Sequence, residues 1–172
     1  KIGCDLYLLV ETSAYNRYIL YCWGDAVFES AKKEMLLEKN INSLFIKKED
    51  QKKYYDYLEN NFQDVIFDTR ISTDERSKIV HSAAVNLAKD LFNDPRAGNI
   101  ERSKTFAYNM VDYILKEGSA AESLLKIAIH EYYTYTHSVN VAAVGTLFAK
   151  NIGLGEDDLK GLCSGILLHD IG

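Results

Sequence analysis

Proline and cysteine are both scarce in this sequence. Pro95 is the one proline in 172 residues, and it sits in Asn93-Asp94-Pro95-Arg96-Ala97-Gly98-Asn99, a segment that reads as a turn between helices. Cys4, Cys22 and Cys163 are odd in number, widely separated and free of CxxC spacing. That pattern argues against a disulfide framework or a zinc knuckle and leaves them as reduced, buried, small apolar residues. Basic residues form no block, and 20 Lys and Arg against 25 Asp and Glu give a net charge of −5. A surface that neutralises nucleic-acid phosphates therefore has no support, and an anionic substrate would need metal ions to attract it. No apolar run approaches the ~20 residues that cross a bilayer, and no charged-then-apolar leader precedes the first strand. The cytoplasm is the default expectation. Internal repeats and low-complexity tracts are missing too, while 47% apolar and 26% charged residues suit an ordinary globular chain.

What is present divides into two parts. Residues 2–10 and 18–23 are rich in aromatic and β-branched side chains and read as two strands around a short polar connection, with Gly24 and Asp25 closing the second. A helix is expected over 27–39, broken by Asn40-Ile41-Asn42, then a short strand over 43–47 and a helix with a charged outer face over 48–62. From Asp68 onward no strand pattern appears, and apolar residues recur every three or four positions through Ile79, Val85 and Leu91. The expected fold class is an α+β N-terminal module followed by an all-α helical domain, with residues 1–68 in the first and 69–172 in the second.

The chemistry is concentrated at the end of the sequence. His169 and Asp170 are adjacent, and the pair can hold divalent metals because the imidazole is a borderline nitrogen ligand while the carboxylate can bridge two cations. His137 lies one helix upstream. On a helical 121–150, His137, Val141, Val144 and Phe148 share a stripe, and Leu159, Leu162, Cys163, Ile166 and Asp170 share another with His169 beside them. Both stripes are expected to face inward, which makes the three polar groups a buried site that a bound cation would stabilise. His130, seven residues before His137, would share its face and is a candidate outer-shell partner. His81 belongs to a separate helical stretch and stays outside the site. Gly161 and Gly165, one turn apart, are expected to admit a neighbouring helix.

Three blocks, YYTYTHSVNVA (132–142), IGLGEDDL (152–159) and GILLHDIG (165–172), together resemble the first half of an HD-GYP domain, a bacterial branch of the HD phosphohydrolases. The resemblance covers about residues 120–172 and implies a helical HD-type domain of which only the first part is present. It implies hydrolysis of cyclic di-GMP at a cluster of divalent transition metals, iron or manganese first, with zinc, nickel or magnesium as alternatives. His137, His169 and Asp170 would be ligands, and Asp170 would be the catalytic carboxylate between two ions. Members with a third metal carry a glutamate four residues before the first histidine, where this chain has Tyr133, so a binuclear centre is implied. Tyr132, Tyr133 and Tyr135 would pack the core or stack on a guanine base. The N-terminal module loosely resembles the small α/β units that precede such domains, which implies a regulatory role and a homodimer. The 172 residues alone are expected to be inactive, and the competing reading is a non-catalytic HD-type signalling module that binds a nucleotide or a partner protein.

Overall fold

The computed structural model describes residues 1–12, 15–130 and 134–171, apart from the side chains of Ile129, His130 and Thr134. The chain forms two compact units, Lys1–Asn60 and Asn61–Gly172.

In the first unit, β1 (Leu6–Glu11) and β2 (Asn16–Cys22) pair antiparallel, Tyr7 opposite Leu20 and Glu11 opposite Asn16, with a register shift beside Leu6. Gly24 then passes so close to the backbone of Cys4 that a Cβ there would lie 2.7 Å from it. Its amide is held by the Asp5 carboxylate at 2.8 Å. α1 (Ser30–Glu38) follows and ends where Asn40 takes a left-handed φ of 56°, the conformation that asparagine tolerates best after glycine. The strand expected over 43–47 is a single antiparallel bridge from Phe45 to Tyr7, made by two backbone bonds of 2.8 Å. The segment lies between the left-handed Asn40 and the 3-10 turn at Lys48–Asp50, and the bridge to β1 is confined to Phe45.

The helix expected over 48–62 is that turn followed by α2 (Gln51–Asn60), and the chain breaks at Asn61. α3 (Phe62–Ile66) is a short piece of the second unit instead. It buries Phe62 and Ile66, and Phe62 packs its ring 4.7 Å from that of Phe106. The unit division thus falls at Asn60, where the sequence pattern placed it near 68.

The second unit is all helical: α4 (Thr73–Asn93), α5 (Ala97–Lys116), α6 (Ala120–His130), α7 (Thr134–Asn151) and α8 (Glu156–Leu168). α4 starts with a capping box in which Ser72 and Glu75 satisfy each other's backbone amides. Val80, Ala84, Leu87 and Leu91 form its fully buried stripe, whereas Ile79 and Val85 lie on its flanks. Pro95 separates α4 from α5, as the sequence suggests. The buried Arg76 pins the top of this core, donating to the Ile66 carbonyl at 2.8 Å and pairing with Glu117 at 2.7 Å. α7 packs on α4, α6 and α8, and α8 also packs on α5. Lys160 of α8 reaches Asp112 of α5 at 3.0 Å, which together with Glu156 holds its ammonium charged well above the usual lysine range. The α+β module and the helical domain expected from sequence are therefore both present.

Candidate metal centre

α7 ends at Asn151 and is closed off by Gly153, whose φ of 88° suits glycine and lets Leu154 bond back to Ala149. The next helix starts within three residues, behind Glu156, Asp157 and Asp158, which complement its N-terminal dipole. A connection this short makes α7 and α8 antiparallel neighbours. The start of α7 and the end of α8 therefore lie at the same end of the unit, which brings His137 to His169. Gly145 leaves room for a side chain of the neighbouring helix, since Cδ1 of Ile166 on α8 lies 2.7 Å from where a Cβ would be. Gly161 and Gly165, expected to serve this purpose, have open space in front of them.

His137, His169 and Asp170 each present one ligand atom, and the three atoms lie within 4.8 Å of one another. Two donors on one ion are at most ~4.2 Å apart at ordinary metal–nitrogen distances, so small side-chain adjustments complete the fit. The two imidazole rings are 5.7 Å apart between centroids and inclined at 55°. His169 caps α8, and its Nδ1 donates to the carbonyl of Ile166 at 2.6 Å. That bond leaves Nε2 of the neutral ring with a lone pair, the tautomer a metal requires. Nε2 in turn faces Oδ1 of Asp170 at 3.1 Å. A proton on Nε2 or a bound cation reconciles the two atoms, and the C-terminal end of α8 favours positive charge at the same place. The donor set thus fits a divalent metal.

The site is not buried, contrary to the sequence expectation. His137 is exposed, and His169 and Asp170 keep 39% and 45% of their side-chain surface. The reason is visible on α7. Its packed side is made of Val139, Ala142, Ala143, Thr146 and Ala149, while Val141, Val144 and Phe148 are exposed, Phe148 by 64%. A second stripe of small residues, invisible to a reading that follows bulk, is the one that meets the neighbouring helices. On α8, Leu159, Cys163 and Leu167 are buried, but Leu162 and Asp170 turn outward. The three candidate ligands are therefore open to solvent.

The other expectations fall out unevenly. The side chain of His130 and residues Tyr132 and Tyr133 lie outside the described residues. Tyr135 packs edge-on against Phe92 at 5.7 Å, the packing role of the two considered for it. All three cysteines are buried and free, and burial pushes the Cys163 thiol up to about 11. An aromatic groove in the first unit, of about 340 Å³ and lined by Tyr7, Tyr18, Phe45, Ile46 and Lys47, was not foreseen. No helix among the described residues is long and apolar enough to cross a membrane.

No family model matches the sequence, and no curated protein is significantly similar to it. Among solved structures, the chain is similar to Bd1817, an HDG"Y"P protein from Bdellovibrio bacteriovorus, with a TM-score of 0.63 and 24% identity. The fold is shared with that protein. The similarity runs over 99% of this chain and 56% of Bd1817, so the chain spans little more than half the length of that structure.

Proposed function

We propose that this chain carries a metal-binding phosphodiesterase site of the HD-GYP kind, and that the protein hydrolyses cyclic di-GMP in bacterial second-messenger signalling. The observation that supports this best is the convergence of His137, His169 and Asp170 to within 4.8 Å. It occurs on a fold shared with an HDG"Y"P protein. His137 and His169 each supply one imidazole nitrogen, while Asp170 supplies two carboxylate oxygens and can serve two ions at once. A pair of iron or manganese ions suits this set of borderline and hard donors, with zinc, nickel or magnesium as substitutes. When bound, such ions lower the pKa of water and offset the negative charge of a phosphodiester. The Ile166 carbonyl keeps the His169 ring in the ligating tautomer, and exposure of the three donors leaves room for water and substrate beside them. Asp170 is the proposed catalytic carboxylate because it alone can touch both ions. A regulatory role for the N-terminal unit and homodimer formation belong to the same proposal.

The test is incubation of the full-length protein, loaded with Mn²⁺ or Fe²⁺, with cyclic di-GMP. A linear dinucleotide or GMP should accumulate, and Asp170→Asn should release neither. Product formation unaffected by Asp170→Asn would overturn the site, and binding of cyclic di-GMP without cleavage would favour the non-catalytic signalling module.

A further inference from the structure

His81 stands outside the sequence-derived site, yet the structure ties it to the helix that carries His137. It is 4% exposed on α4, and its Nε2 lies 2.8 Å from Oδ1 of Asn140 on α7. Asn140 in turn donates from Nδ2 to the carbonyl of Ala128 on α6 at 3.1 Å. The directions are forced, because a carbonyl can only accept. The amide nitrogen must face Ala128, the amide oxygen must face His81, and His81 Nε2 must be the donor. Asn140 lies three residues beyond His137, about one turn along α7.

Apolar packing of Ala142, Ala143 and Ala149 has no direction and tolerates small rotations of α7. A partly buried chain of directional hydrogen bonds anchored on the buried His81 does not, since each bond restricts the angle of its partners and leaving the His81 donor unmet is costly. A rotation of α7 would carry His137 off the shared point, because successive residues are ~100° apart around a helix. We propose that His81 and Asn140 are positioning residues: the His81–Asn140–Ala128 chain fixes the rotation and depth of the first turns of α7 and so aims His137 at His169 and Asp170. This rests on the reading of those three residues as metal ligands.

The experiment is Mn²⁺ titration of the full chain, well below its unfolding temperature, for the parent protein, His81→Leu, His81→Gln and Leu91→Ala. His81→Leu removes the donor and should weaken Mn²⁺ binding roughly tenfold, the low end for a residue supporting a ligand. Glutamine can donate to Asn140 from its amide and should restore most of the affinity. Leu91→Ala, which destabilises the same helix elsewhere, should lower the melting temperature and leave the affinity unchanged. Equal affinities for His81→Leu and the parent overturn the positioning role while the metal site stands. A parent protein that takes up no Mn²⁺ overturns both. Contact between the His137 and His169 rings, read in the metal-free protein as a nuclear Overhauser effect, should weaken in His81→Leu, and its persistence at full strength would also count against the proposal. Should His81→Leu fail to fold, Asn140→Ser carries the same comparison.

Discussion

On one side of α7, Val139, Ala142, Ala143, Thr146 and Ala149 are buried; on the other, Val141, Val144 and Phe148 are exposed beside His137. The largest of these side chains, Phe148, meets water, and the buried five are alanine and threonine apart from Val139. α7 packs on α4, α6 and α8 at once, and that enclosed side carries alanine, threonine and one valine. The exposed apolar residues run along the helix from His137, Val141 about one turn beyond it and Phe148 about three turns beyond. Apolar clusters on a surface next to a few convergent polar groups are characteristic of sites that receive a ligand or another surface.

Substitutions can break that comparison directly. Ala142→Leu should cost about 1–3 kcal/mol by overpacking the closed side. Phe148→Ser on the open side should change stability by no more than about 0.5 kcal/mol and raise solubility. Urea melts of both variants decide the matter, and equal losses would mean that the two sides had been assigned wrongly.

Cys163 sharpens the picture of the closed side. Its thiol is raised from 9.0 to about 11 by burial, so the folded protein resists its ionisation. The stabilisation is complete below pH 9, where the thiol is neutral in both states, and is lost as pH rises from 9 to 11, where only the unfolded thiol ionises. The loss is on the order of 2–3 kcal/mol. Stability measured across that window should fall more steeply for the parent than for Cys163→Ala. Parallel curves would contradict the burial. Gly145→Ala should have a smaller effect, about 1 kcal/mol, because the far end of the flexible Ile166 side chain can move aside. No change in the melting temperature would show that the two helices have slack at this point.

Much of this was legible in the sequence, and the limits have physical causes. The strands, the helical second half and the turn at Pro95 follow from local periodicity and turn chemistry. The adjacency of His169 and Asp170, with His137 one helix upstream, was enough to bring the three groups together, because a short loop after Gly153 leaves few ways to fold α8 back. Their burial was misjudged because hydrophobic periodicity shows that a helix has a stripe without showing whether a second stripe of small residues competes for the core. The strand at 43–47 depended on pairing partners that composition does not reveal. His81 was set aside because the hydrogen bond that gives it a role spans 59 residues. Glycine spacing pointed to Gly161 and Gly165, whereas the glycine that faces a neighbouring helix's side chain is Gly145, opposite Ile166.

The most direct test of the metal centre is a Mn²⁺ titration of the full chain followed by NMR of its histidine side chains. Paramagnetic broadening should strike His137 and His169 first and leave His81 sharp until higher metal concentrations, and Asp170→Ala should weaken or abolish it. Broadening spread evenly over all the histidines, or unchanged by Asp170→Ala, would contradict a shared cation at these three residues.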